Sequence, residues 1–238
     1  MTRVRLVAFF SLVVPLLAGC GVHNNSRANV DGYGIKPSLL MSTSYIAETK
    51  TLRYIAERSG AYVPNEGVTA FYGDGDLLVD FKNSELYWLD RQGAEADGSV
   101  TASVEFRGVS PAIVSTQQMH AVAADAVPDT ISLAQGFVIG WAGDPLVEGE
   151  RFEIVIRNAN ESQWGYGDAK SLNVEGNKLV VAPHAEPNMF SAAIGVPPPG
   201  EYEVAIQRST ADSRTVGGFL VVTGATYWST WTALTIVP

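Results

Sequence analysis

The sequence predicts a mostly β protein built around an antiparallel sandwich, and three observations carry that prediction. Apolar and polar residues alternate in short runs through most of the chain, the period-two pattern of strands with one buried face. Turn formers separate the runs, drawn from 23 Gly and 12 Pro in 238 residues. At 46% hydrophobic and 10% aromatic, the chain can bury a proper core, which excludes wholesale disorder.

The N-terminus carries the sharpest signal. Arg3 and Arg5 precede an apolar stretch from Leu6 to Leu17, interrupted only by Ser11 and Pro15. As a helix this stretch measures roughly 18 Å. A bilayer core is roughly 30 Å thick, so the stretch fits the h-region of a signal peptide. No other segment approaches 18 consecutive apolar residues. The stretch ends in Leu17-Ala18-Gly19-Cys20. This resembles the lipobox of bacterial lipoproteins, where a branched residue and two small ones precede a cysteine that is diacylated and becomes the mature N-terminus. The resemblance covers residues 1–20. It implies a signal peptide over 1–19, palmitate-type acylation of Cys20, and a hold on the lipid bilayer through that residue. Gly21 rather than Asp follows the cysteine, which in that family implies the cell outer membrane. Cys20 is the only cysteine, so a disulfide framework and a cysteine-built metal site are excluded.

Residues 20–38 read as a flexible tether, because Asn24, Asn25, Ser26, Asn29, Gly32, Gly34 and Pro37 break any periodicity. Between Leu39 and Gly60, the residues Tyr45, Leu52, Ile55 and Ala56 lie near helical spacing. They predict a short helix over 46–58, although Ser42, Thr43, Thr49 and Thr51 weaken it. Residues 39–128 otherwise form a β-rich region. Val68, Ala70 and Tyr72 alternate, Gly73-Asp74-Gly75-Asp76 turns the chain, and Leu77, Val79 and Phe81 alternate back as a hairpin. Leu86, Trp88 and Asp90, then Val100, Ala102, Val104 and Phe106, complete a predicted four-strand meander.

Residues 129–238 give the clearest pattern. Ile131 and Leu133 lead to Phe137, Ile139 and Trp141; Phe152, Ile154 and Ile156 follow a Gly-Asp-Pro turn. Leu172 and Val174 turn at Glu175-Gly176-Asn177 into Leu179 and Val181. Tyr202, Val204 and Ile206 come next, and Phe219 and Val221 open the last strand. Trp141 shares its phase with Phe137 and Ile139 and is expected in the core. Pro199-Gly200-Glu201-Tyr202-Glu203-Val204 resembles the tyrosine corner of immunoglobulin-like and fibronectin-like domains. The resemblance is one of architecture and implies a disulfide-free, immunoglobulin-like β-sandwich. It is preceded by a smaller β-rich region with at most one short helix.

Catalytic chemistry is hard to find. The histidines are His23, His120 and His184. His23 lies in the tether and His184 in a loop, and none of the three has zinc-hydrolase spacing. No Gly-x-Ser-x-Gly elbow, Ser-x-x-Lys or Walker-type loop occurs. Asp74, Asp76 and Asp80 gather hard oxygen ligands near one hairpin, a weak calcium candidate, as are Asp90, Glu95 and Asp97. As turn formers these aspartates are already explained. Trp164 and Tyr166 sit in a glycine-flanked stretch, Gln163 to Asp168, predicted to be a loop. Exposed there, they could stack on sugars or anchor a protein partner; folded back, they would close the sandwich end. Tyr227, Trp228 and Trp231 put large rings on both faces of the last strand, which predicts burial on both faces or one exposed stripe.

With 25 Asp+Glu against 16 Lys+Arg and a net charge of −9, the chain has no field to attract nucleic acid. No cofactor is expected. The expectation is an outer-membrane lipoprotein acting as a non-enzymatic binding or assembly module, with an envelope protein or glycan as partner. An envelope glycan or peptidoglycan hydrolase and a small-ligand carrier or sensor are the competing readings.

Overall fold

The computed structural model describes residues 38–59, 69–72, 76–80, 86–96, 101–105, 112–116, 118–190, 195–216 and 219–238. Every regular element in them is a strand. The chain runs β1 (Ser38–Ile46), β2 (Thr51–Ser59), β3 (Thr69–Tyr72), β4 (Asp76–Asp80), β5 (Leu86–Gln92), β6 (Thr101–Glu105) and β7 (Ala112–Ser115). It continues with β8 (Val122–Ala126), β9 (Thr130–Ser132), β10 (Phe137–Gly143), β11 (Arg151–Arg157), β12 (Gln163–Tyr166), β13 (Leu172–Glu175) and β14 (Lys178–Val181). It ends with β15 (Asn188–Phe190), β16 (Gly200–Val216), β17 (Phe219–Trp228) and β18 (Thr232–Val237).

Two sheets enclose the core. One is the four-stranded sheet β13-β14-β10-β8. Facing it is part of a ten-stranded sheet, in which β12, β11, β16 and β18 lie side by side and β9 adds to β18 in parallel. Matched to the immunoglobulin lettering, the first sheet in that order is D-E-B-A and the second is C′-C-F-G, with β16 as strand F. The protein is therefore an immunoglobulin-like β-sandwich. Alternation does the work: Phe137, Ile139 and Trp141 face Phe152, Ile154 and Ile156, while Val138 between them is 41% exposed. The tyrosine corner is formed, since the Tyr202 hydroxyl donates to the Pro198 carbonyl at 2.6 Å.

β16 is far longer than one face of the sandwich. Its first part pairs with β18, from Gly200 opposite Ile236 to Val204 opposite Thr232, and its second part pairs with β17. The exchange happens at Ser229, whose hydroxyl accepts from the Ile206 amide at 2.9 Å while its own amide donates to the Ile206 carbonyl. Beyond the sandwich the β16–β17 hairpin carries β1 in parallel on β17, then β2 and β5. The sheets therefore do not divide at 128/129: β8 pairs with β10, and β1 pairs with β17.

Three expectations are corrected. The helix over 46–58 is a turn and a strand. β1 and β2 form an antiparallel hairpin in which Tyr45 lies directly opposite Leu52. Their seven-residue spacing imitates two helical turns but spans a reversal at 47–50, where Lys50 has φ 47°. The four-strand meander is also reordered. β3 and β4 do pair as the predicted hairpin, but that sheet is β4-β3-β6-β7, and β5 leaves it to pair with β2. Finally, Trp231 lies in the break between β17 and β18 rather than within one last strand.

Among the described residues no helix is long and apolar enough to cross a membrane. The lipobox, Cys20, Gly21, His23, Asp74 and Asp97 lie outside the described residues, as do the side chains of Asp76 and Asp80 at the two ends of β4.

Candidate functional site

The site begins with a charge in an apolar phase. On β16, Tyr202, Val204 and Ile206 enter the core, and Arg208 follows in the same phase with its side chain 1% exposed. A bare guanidinium there would be strongly destabilising, so its surroundings are decisive. Its five N–H groups find five bonds. Nε donates to Glu150 Oε1 at 3.0 Å, and Nη1 to the Ala121 and Asp144 carbonyls at 3.2 and 2.6 Å. Nη2 donates to the Pro145 carbonyl at 2.6 Å and to Glu150 Oε2 at 2.5 Å. The Trp141 and Phe152 rings lie 5.5 and 5.4 Å from the guanidinium carbon, adding cation–π attraction.

Glu150 is the second centre. Besides Arg208, it accepts from the Val147 amide at 2.7 Å and contacts His120 Nδ1 at 2.5 Å. Burial pushes its carboxyl up, but Arg208, the Val147 amide and His120 together hold it below the ordinary carboxylate value. Asp144 closes the loop from the other side. Its amide donates to the Ala121 carbonyl at 3.2 Å, and its Oδ2 accepts from the Ala121 amide at 2.8 Å. Gly143, at φ 146°, lets the two segments touch; a Cβ there would collide with the Ala121 carbonyl.

The consequence is a pinned β10–β11 loop. Its backbone is held at Asp144, Pro145 and Val147, while the side chains of Leu146 and Val147 leave the residues 52% and 46% exposed. Asp144 and Glu148, both exposed, flank them. An apolar knob between carboxylates thus stands on a loop clasped by a buried ion pair. The Arg208 N–H groups and both Glu150 oxygens are engaged in holding the loop.

The residues singled out from the sequence fall elsewhere. Trp164 and Tyr166 are not in a loop: they lie on β12, 5% and 0% exposed, opposite Ile156 and Ile154. Trp164 packs edge-on against Tyr202 and Tyr166 against Phe137. Gly165 between them is a strand residue opposite Val155, so the glycines that suggested a loop lie in or beside the strand. With both rings inside, they supply core area and no exposed stacking edge. Trp228 is buried and Tyr227 half-buried on opposite faces, in line with burial on both. Trp231 carries Arg157 over its ring at 3.9 Å. Asp90 is engaged by Arg53, Nε and Nη2 reaching its two oxygens at 2.7 Å each, and Glu95 is exposed. His184 is an exposed turn residue at φ 55° after β14. His120 joins the clasp. Arg208 was overlooked, although its phase with Tyr202, Val204 and Ile206 was the signal for it.

One further group stands out electrostatically. On the outer face of β11, burial and the charge of Asp168 raise Glu153 to about 7, against a lowering contribution from the Asn188 amide. Asp168 itself is held low: burial raises it, but hydrogen bonds from Ser171 and the Lys170 amide outweigh that.

No protein-family model and no curated protein matches the chain. Among solved structures it is similar to the three N-terminal domains of the bacteriophage RB49 Highly Immunogenic Outer Capsid protein, at 11% identity and a TM-score of 0.24. That match covers 85% of this chain and 71% of the other. It is also similar to the ICAM-5 D1–D4 ectodomain fragment, at 12% identity and a TM-score of 0.20. There it covers 82% of this chain and spans about half, 51%, of the fragment.

Proposed function

We propose that the protein is a lipid-anchored binding or assembly module of the cell envelope. Acylated Cys20 holds it on the outer membrane, and the pinned loop at 144–149 engages an envelope partner. The reading is supported above all by Arg208. Burying a guanidinium and a carboxylate is not an economical route to stability, yet here the pair fixes a loop whose only exposed large apolar groups are Leu146 and Val147. Loops at the ends of immunoglobulin-like sandwiches are their usual recognition surface. A pre-fixed loop also loses little conformational entropy on binding. The test is an in-cell crosslinking pull-down of the lipidated protein. One dominant protein partner is expected, reduced in Leu146→Asp and lost in the unanchored Cys20→Ala. A partner unaffected by Leu146→Asp overturns the role of the loop.

A second reading, an envelope hydrolase, is favoured by Glu153, whose raised carboxyl beside Asp168 has the profile of a general acid. Turnover of cell-wall material that disappears in Glu153→Gln would support it, and inertness of the purified protein on that material would remove it.

A further inference from the structure

On one side β16 outruns its partner. β11 pairs with it only as far as Ser209, opposite Arg151, while β17 accompanies it to Val216. Among the described residues no strand borders the β11 side of β16 from Thr210 onward. Ala211, Asp212, Ser213, Arg214 and Thr215 are exposed in succession, on both faces of the strand.

The hydrogen-bonding groups of this edge can be assigned. Ile206 turns both its amide and its carbonyl to Ser229, on the β17 side. Successive residues of an antiparallel ladder point these groups to opposite sides, and the β16–β17 register runs unshifted from Gln207 to Val216. Ala211, Ser213 and Thr215 therefore aim their N–H and C=O groups at the open side. The Ser213 amide agrees: it donates to Oδ1 of the neighbouring Asp212 at 2.8 Å. An open edge of this kind is a template for another strand.

The side chains say which strand fits. Asp212 and Arg214 lie one position either side of Ser213 and, at period two, share a face. Let a second copy of the chain run antiparallel, with the two Ser213 residues opposite each other. Asp212 of each copy then lies directly across from Arg214 of the other, once on each side of the two-fold axis. The serines form a hydrogen-bonded pair, so both Asp212–Arg214 pairs fall at positions without backbone bonds, where side chains stand closest. Charges on an edge strand usually deter self-pairing. Moving the axis one residue either way does set Asp212 against Asp212, or Arg214 against Arg214. Of these three registers, only the one centred on Ser213 matches opposite charges.

We propose that the distal edge of β16 is a self-association site, where two copies of this chain pair antiparallel about Ser213 into one continuous sheet. The Asp212 carboxylate leaves the Ser213 amide for Arg214 of the other copy, and that amide donates to the other copy's Ser213 carbonyl. The paired stretch, Thr210–Val216, is roughly 23 Å long at about 3.3 Å per residue. That is a narrow contact, so the dimer is weak and forms reversibly with concentration. It uses neither Leu146 nor Val147 and stands independently of the partner reading.

The test is oxidative crosslinking of the full chain carrying Ser213→Cys. Residues of a hydrogen-bonded antiparallel pair lie about 5.5 Å apart at Cα, within disulfide reach. The unaltered chain, with Cys20 as its only cysteine, sets the background, and Thr215→Cys is the register control. In the proposed dimer the two Thr215 positions are offset by roughly 13 Å along the strands, too far to bridge. A dimer linked through position 213, mapped by peptide mass spectrometry, is expected at least about tenfold above both controls. Adding Asp212→Arg opposes like charges at both pairs and is expected to abolish the product. Adding Arg214→Asp as well restores opposite charges and the product, a rescue that a misfolded strand would not show. The proposal is overturned by no dimer linked at 213, by equal yields at 213 and 215, or by a product that ignores the first charge reversal or is not restored by the second. A mixed disulfide from position 213 to a different protein, in place of the dimer, would assign the edge to another partner and overturn it too.

Discussion

Arg208 and Glu150, each with its side chain 1% exposed, meet through two hydrogen bonds of 3.0 and 2.5 Å at the end of the sandwich where β10 passes into β11. The pair joins a strand residue to a loop residue 58 positions away. It converts the loop from a solvated connection into part of the packed body. Removing one partner leaves the other buried and unpaired, so Arg208→Met is expected to destabilise the protein by about 3–5 kcal/mol in urea unfolding. The double variant Arg208→Met, Glu150→Met buries no charge and should recover much of that loss. If the single and double variants are equally unstable, the ion pair is not what holds the loop.

Gly143 makes the same point through the backbone. Its φ of 146° and its approach to the Ala121 carbonyl leave no room for a side chain. Gly143→Ala is expected to cost about 2 kcal/mol or more and to raise hydrogen exchange at the Asp144 and Val147 amides. Unchanged exchange at both amides would contradict the close approach.

The two perturbed glutamates act in adjoining pH windows with opposite sign. Glu153 has its folded value raised to about 7 from 4.5, so the folded state binds the proton more tightly than the unfolded chain. Its contribution is fully present below pH 4.5 and lost as pH rises to about 7, by up to about 3 kcal/mol. Glu150 is lowered from 4.5; its contribution is present above that value and lost as pH falls below it. Stability should therefore decline between about pH 4.5 and 7, and Glu153→Gln should flatten that decline. A decline identical in the variant would reject the assignment to Glu153.

Tyr202→Phe removes the 2.6 Å bond to the Pro198 carbonyl while keeping the ring against Trp164. A loss of about 1 kcal/mol is expected from thermal or urea unfolding. No loss would mean that water replaces the bond without cost.

Much of the sandwich was legible because period two is unambiguous where one face is buried. Phe137-x-Ile139-x-Trp141 and Phe152-x-Ile154-x-Ile156 could be only inward-facing strands, and Tyr202 announced its corner. Legibility failed where tertiary pairing overrode the local signal. Tyr45 and Leu52 looked like helix neighbours because a hairpin placed them opposite each other at a helical interval. β5 followed β4 in sequence, but its partner β2 lay upstream. Gly165 read as a loop residue although it paired with Val155 and Asn188 in a sheet. The clasp was hidden for another reason: Glu150 and Arg208 belong to no local motif, and only the phase of β16 pointed an arginine inward.

The most direct measurement is photo-crosslinking in intact cells, with a photoreactive residue at position 146 and a control at Val196. Val196 is 54% exposed but lies near the Gly200 start of β16, at the opposite end of the sandwich from Arg208. A discrete adduct to one envelope protein is predicted from position 146, absent from position 196 and lost in Cys20→Ala. No adduct at 146, or equal adducts from both positions, would contradict a partner-binding role for the pinned loop.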